Sequence, residues 1–298
     1  MTPAIDARQL SKRIGKSTVL EAMDLAVPRG AIVALVGHNG AGKSTLIKLL
    51  LNILEPTTGE ATVLGMPTAS LRGDAFTRIG YVSENQEMPE WMTVSGLMRH
   101  LRPMYPRWND EGLLEELQLP AERKIKDLSR GMRMKLALAS VLAFGPELLV
   151  MDEPFSGLDI AVRTELIQTL LDRTHDGETT VLISSHDLEE METFATHIAF
   201  LREGRLLFAE PIDELLARCR EVTVTFAGDV AERMKTALPN GCVAAEAKGA
   251  MLRFVDMQAD VDGHEDAIRA LMPQAVAVQS EGMNLRAIFL ALNKAGHA

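Results

Sequence analysis

Apolar residues follow two rhythms along this chain. Ala31-Ile32-Val33-Ala34-Leu35-Val36 is an unbroken apolar run that ends at Gly37, the pattern of a strand buried on both faces. From Lys43 to Leu54 the period changes, and Leu46, Ile47, Leu49, Leu50 and Ile53 recur at helical spacing. Further buried strands are predicted at Leu148–Met151 and Val181–Ser184. Between them Thr164–Leu171 reads as a helix with Leu166, Ile167, Leu170 and Leu171 on one face. Strands that alternate with helices predict an α/β layered sheet. From about Val94 to Ala143 the reading is helical with no clear strand, as expected of a helical insertion in the α/β domain.

A boundary is expected near Arg218 to Glu221. Beyond it, Val222-Thr223-Val224-Thr225-Phe226 alternates like a half-buried strand. Asp229–Leu238 reads as a helix, Gly241–Ala247 and Met251–Val255 as strands, and His264–Met272 as a helix. Ala275–Gln279 reads as a strand and Asn284–Leu292 as a closing helix. The order βαββαβ plus a helix suggests a small α+β, ferredoxin-like domain over 218–298.

The chain of 298 residues suits one large domain with a small one, and 47% hydrophobic residues are ample for a core. A net charge of −10 argues against nucleic acid as the main partner, since phosphate binding wants clustered Lys and Arg. Cys219 and Cys242 lack metal-type spacing, so neither zinc nor a structural disulfide is expected, which fits a reducing cytoplasm. The start, Met1-Thr2-Pro3-Ala4-Ile5-Asp6, does not read as a signal peptide. No apolar run approaches the roughly 20 residues that span a bilayer, so any membrane span is expected from another chain.

Gly37-His38-Asn39-Gly40-Ala41-Gly42-Lys43-Ser44-Thr45 satisfies the phosphate-loop pattern between a strand and a helix. Its glycines let backbone N–H groups turn inward as an anion nest, and the helix start adds partial positive charge. Lys43 is expected on the β- and γ-phosphates and Ser44 on Mg²⁺. His38 is read as a solvated side chain. Asp152 and Glu153 end an apolar strand. Asp152 suits an outer Mg²⁺ contact, and Glu153 suits polarisation of the attacking water.

With these motifs quoted, residues from about 4 to 215 resemble the nucleotide-binding domain of ATP-binding cassette (ABC) transporters. Ile79-Gly80-Tyr81-Val82-Ser83-Glu84 matches the Q-loop, and Leu128-Ser129-Arg130-Gly131-Met132 the Leu-Ser-Gly-Gly-Gln signature. Ser156-Gly157-Leu158-Asp159 matches the D-loop, and His186 the switch histidine. The resemblance implies a P-loop NTPase, a RecA-like core with an antiparallel β subdomain and a helical insertion at about 86–143, all within 1–217. It implies an Mg²⁺-dependent ATPase whose Ser129, Gly131 and Asp159 serve nucleotide across a dimer. It also implies a second copy or similar ATPase subunit and a polytopic membrane subunit as partners, on the cytoplasmic face of the inner membrane.

Three sites depart from the family, the third being Arg130 together with Met132 in the signature. Ile14 stands where an adenine-stacking aromatic is frequent, and forgoes about 1 kcal/mol of stacking. Glu84 replaces the usual glutamine. Either it ligates Mg²⁺ or Gln86 takes that place. Arg130 either adds a charge near the γ-phosphate or, the favoured reading because Arg is a common surface residue, faces solvent or a partner surface. Degenerate signatures, Glu at the Q-loop and a short C-terminal extension resemble the type-2 exporter branch. Met88, Trp91, Met92, Met98, Met104, Met132 and Met134 suit either a groove for a membrane-subunit helix or packing within the insertion. The readings that compete with an exporter ATPase are a soluble ABC ATPase acting on nucleic acid or ribosomes, and an inactive cassette. The second is opposed by Lys43, Glu153 and His186.

Overall fold

A computed structural model describes residues 2–235, 238–239, 241–259 and 263–295. The chain divides into two compact units. One takes Met1–Asp187 and Thr193–Ala209, the other Leu188–Glu192 and Glu210–Ala298.

In chain order the elements of the first unit are β1 (Ile5–Ile14), β2 (Ser17–Val27), β3 (Ile32–Val36), α1 (Lys43–Leu50), β4 (Thr58–Val63), β5 (Met66–Pro67) and β6 (Ile79–Ser83). They continue with α2 (Val94–Leu101), α3 (Leu113–Glu116), α4 (Arg130–Leu142), β7 (Leu148–Asp152), α5 (Ile160–Thr174) and β8 (Thr180–Ser185). After α6 (Leu188–Glu192), which belongs to the second unit, come β9 (His197–Arg202) and β10 (Arg205–Pro211).

Among the described residues, β2-β1-β4-β5 form an antiparallel sheet and β10-β9-β3-β8-β7-β6 a larger one. In the larger sheet β9, β3, β8, β7 and β6 run parallel. Both faces of a parallel sheet are covered, so β3 and β8 carry buried side chains throughout. Leu46, Ile47 and Leu50 of α1 share one core with Ile5, Leu10, Leu20 and Leu25 of the antiparallel sheet. Each such side chain contributes about 1.5–3 kcal/mol by leaving water.

The helix expected over Lys43–Leu54 stops at Leu50, because Asn52 adopts a left-handed φ of 56° that closes the turn. The helix expected over Thr164–Leu171 runs longer, from Ile160 to Thr174. Asp159 starts it by accepting the Val162 N–H at 3.0 Å. The 94–143 stretch is built of helices α2, α3 and α4, with one isolated bridge between Thr93 and Lys124.

The second unit continues with α7 (Ile212–Arg218), β11 (Arg220–Phe226), α8 (Ala231–Met234), β12 (Cys242–Lys248), β13 (Met251–Asp256), α9 (His264–Leu271), β14 (Ala275–Gly282) and α10 (Leu285–Ala295). The helix expected over Asp229–Leu238 is shorter, the single turn of α8 at Ala231–Met234: Asp229 lies in a bend and Leu238 is not helical, and residues 236 and 237 lie outside the described residues. The four strands are antiparallel in the order β12-β13-β11-β14. Val222, Val224 and Phe226 alternate inward from β11 onto Leu252, Phe254 and Ile268.

Candidate functional site

The C-terminal ends of β3, β7 and β8 meet, and each carries a polar residue into the loop that follows. Gly42 is the pivot of the phosphate loop. Its φ of 108° is closed to L side chains, and a Cβ there would stand 2.5 Å from Leu20 Cδ2. α1 begins at once, with no side-chain cap on its first N–H groups, which are left for an external anion. Lys43 is buried. Its Nζ donates to Gly37 O at 2.7 Å and lies 3.0 Å from Glu153 Oε1. That carboxylate oxygen is buried without a hydrogen bond, so the ammonium charge is what partners it.

Ser44 Oγ donates to Asp152 Oδ1 at 3.1 Å, and Ser184 Oγ donates to the same oxygen at 2.6 Å. Glu153 has a left-handed φ of 50°, a strained position for a non-glycine residue. Its N–H is held there by Ser184 Oγ at 2.9 Å and Ser184 O at 3.2 Å. His186 Nδ1 lies 2.8 Å from Glu153 Oε2. An ionised carboxylate only accepts, so Nδ1 carries the proton. Burial, and then the Asp152 charge, push the nearby Tyr81 phenol up.

Thus Lys43, Ser44, Asp152, Glu153 and His186 converge as the sequence predicts. His38, Asn39 and Gly40 are exposed along the loop, Ala41 is buried, and Thr45 is half-buried in α1. Ile14 ends β1 at 55% exposure. Glu84 follows β6, and its N–H donates to Asp152 O at 3.0 Å. Gln86 Oε1 accepts the Ser83 N–H at 3.4 Å. Ser129 caps α4 by accepting the Met132 N–H at 3.2 Å, and Gly131 faces Val162 so closely that a Cβ would sit 3.2 Å from its Cγ1. Asp159 caps α5.

Arg130 corrects the sequence reading. Although half exposed, it does not merely face solvent: its Nη2 donates to Glu84 Oε1 at 2.5 Å and to Ser156 O at 2.7 Å. The methionines differ in their surroundings. Met98 is core, while Met88 and Met134 line a groove of about 600 Å³ with Glu84, Glu87, Glu90 and Arg133. Trp91 is 73% exposed.

Sequence reasoning missed Ser184, whose signal was a hydroxyl inside a wholly buried apolar strand, where it must find a partner. It also missed Arg163. That side chain donates to Leu158 O at 3.0 Å and to Asp187 Oδ2 at 3.1 Å, joining the D-loop to the turn after His186. The two cysteines lie in the second unit. Burial pushes Cys219 up to about 11 and Cys242 up to about 12, so both are unreactive thiols at neutral pH.

A buried ammonium beside an uncapped helix start and two carboxylates fits a polyphosphate and its reacting water. The comparisons with known proteins agree. The family model for ABC transporters matches residues 15–156. The bacitracin transport ATP-binding protein BcrA of Enterococcus faecalis is 33% identical over 230 residues, which cover 75% of this chain and 74% of that protein. The Nod factor export ATP-binding protein I of Rhizobium meliloti is 33% identical over 216 residues, 68% of this chain and 63% of that one. A solved structure of the ATP-binding subunit of an ABC transporter superposes with a TM-score of 0.66 at 27% identity, covering 71% of this chain and 91% of the other. With the phosphate loop, the carboxylate pair and His186 assembled on a P-loop NTPase sheet, this chain belongs to the ATP-binding proteins of ABC transporters, the subunits that hydrolyse ATP to drive transport.

Proposed function

We propose that this protein is the ATPase subunit of an exporter, that it dimerises on ATP, and that it drives a separate polytopic membrane subunit. The observation that carries the reading is the convergence of Lys43, Ser44, Asp152, Glu153 and His186 at one sheet end. Glu153 orients and polarises the attacking water, His186 fixes the Glu153 carboxylate, and Lys43 exchanges its present partners for phosphate oxygens. Ser44 Oγ and Asp152 Oδ1 form a pair of oxygen donors beside the loop, the donor set a hard cation takes, and these two would hold Mg²⁺. That ion supplies charge neutralisation on the phosphates.

Ser129, Gly131 and Asp159 serve the nucleotide bound by a second copy or a similar subunit. Ile160, 82% exposed beside Asp159, is an apolar side chain suited to such a seam. No described helix is long and apolar enough to cross a membrane, in keeping with a span on another chain. In this reading 1–217 is the nucleotide-binding domain, with its helical subdomain at about 86–143. Residues 218–298 are a ferredoxin-like domain, supported by the strand order β12-β13-β11-β14. The protein works peripherally on the cytoplasmic face of the membrane.

Glu153→Gln tests the reading. It is expected to bind ATP with Mg²⁺, to lose turnover by at least about 10²-fold, and to accumulate as a dimer in size-exclusion chromatography. Copurification of a polytopic protein from membranes supports the transport role. Recovery only with ribosomes or DNA overturns it.

A further inference from the structure

Two of the three positions that depart from the family touch each other. Glu84 directly follows β6, and its N–H donates to Asp152 O at the end of neighbouring β7, so it adds a negative charge one strand away from Asp152 and Glu153. Arg130 meets that charge at 2.5 Å and spends the second hydrogen of the same nitrogen on Ser156 O at 2.7 Å. Gly157 leaves room for the guanidinium: with φ at +65°, a Cβ there would stand 2.8 Å from Arg130 Nη1. One side chain therefore ties three segments far apart in sequence, namely the Q-loop position, the start of α4 and the D-loop turn.

We infer that Arg130 is a positioning residue that neutralises Glu84 and fixes the Ser156–Gly157 turn within its own subunit, and that Glu84 is its salt-bridge anchor rather than a metal ligand. The inference rests on the ATPase reading for its consequence in nucleotide binding, whereas the clasp itself rests on the contacts of Arg130 alone. Loss of Arg130 frees the turn and leaves an uncompensated carboxylate next to the strand end that carries Asp152 and Glu153. Loss of both charges removes the repulsion.

The test is a cycle of Arg130→Ala, Arg130→Lys, Glu84→Gln and the double variant Glu84→Gln/Arg130→Ala, with two readouts. In nucleotide-free protein, amide exchange at 156–158 is expected to quicken about tenfold in Arg130→Ala and to stay nearer wild type in Arg130→Lys. In equilibrium titrations, Arg130→Ala is expected to weaken ATP binding about tenfold, and the double variant to recover to within about threefold of wild type, because the charges cancel as a pair. The Mg²⁺ concentration for half-maximal turnover is expected to move less than about twofold in Glu84→Gln, against more than tenfold in Asp152→Asn. Unchanged exchange at 156–158, a double variant as weak as Arg130→Ala, or a tenfold Mg²⁺ shift in Glu84→Gln each overturns the inference. If Arg130→Ala does not fold, the Arg130→Lys and Glu84→Gln exchange data decide it. A wild-type protein that binds no ATP fails the ATPase reading, and the exchange experiment still decides the clasp.

Discussion

Ser184→Ala removes one hydroxyl from a side chain with no solvent exposure, and two groups of the site lose a partner. Asp152 Oδ1 loses its 2.6 Å donor and keeps Ser44 at 3.1 Å. The Glu153 N–H loses its 2.9 Å acceptor and keeps Ser184 O at 3.2 Å. A hydrogen bond to a charged group is worth about 1.5–3 kcal/mol, and since both partners keep a weaker bond, the cost is set at about 2 kcal/mol. At about 2–4 °C per kcal/mol, the melting temperature falls by roughly 4–8 °C. Turnover suffers more than stability. Glu153 occupies a strained backbone position that persists only where its surroundings over-determine it, and Ser184 supplies part of that constraint. A displacement of under 1 Å at a group that aims a water costs on the order of 10²-fold in kcat. Phosphate release at saturating ATP measures the loss of kcat, and scanning fluorimetry the fall in melting temperature. Ser184→Ala with kcat within twofold of wild type would falsify the claim that Ser184 holds Glu153 in its working position.

Lys135, buried between α4 and α5, places Nζ 2.6 Å from both oxygens of Glu165. Glu165→Leu strands a buried cation and is expected to cost about 3 kcal/mol in urea denaturation. Lys135→Met costs less because Glu165 is partly solvated, and the double variant recovers most of the loss; additive losses refute this. Arg78, bonded to Glu147 at 2.5 and 2.7 Å, holds that carboxyl below its ordinary 4.5, chiefly by hydrogen bonding. The stabilisation is complete above pH 4.5 and fades as pH falls below it, so the melting-temperature gap between wild type and Glu147→Gln closes in acid. Both side chains are about two-fifths exposed, so the gap is worth under about 1 kcal/mol, and a gap that widens in acid contradicts the sign. Ile14→Tyr adds a stacking face and is expected to tighten ATP binding about fivefold, while wild type binds ATP and GTP comparably. Strong ATP selectivity in the wild type counts against that.

Of the parallel strands, β3, β7 and β8 were legible because a strand buried on both faces must be apolar throughout, and few other elements impose that run at Ala31–Val36 or Leu148–Met151, whereas β6 and β9 were not read as strands. The phosphate loop was legible because its function needs backbone geometry that only a specific glycine spacing provides. β1 and β2 were not read residue by residue. Their mixed pattern, with Gln9 at φ 48° and several register shifts, blurs the alternation that marks a strand. The family resemblance makes Asp159 and Ser129 nucleotide contacts, and they are also helix caps, a role open to any Asp or Ser before a helix. A residue type at a motif position therefore cannot by itself separate the two roles.

Arg130 shows the harder limit. Taken alone it is a long cation on a surface loop, and solvent is its default partner. Glu84 alone is a carboxylate in an unhelpful place beside a triphosphate. The two are 46 residues apart, and only the pairing of β6 with β7 and the seating of α4 bring them to 2.5 Å. Once they are paired, two apparent departures from the family reduce to one exchange. A neutral amide and a glycine become an acid and a base whose charges cancel, and the site keeps its net charge. Ile14 ends β1 with its side chain more than half exposed, so its effect is expected in base recognition and that of the pair in phosphate binding and D-loop order.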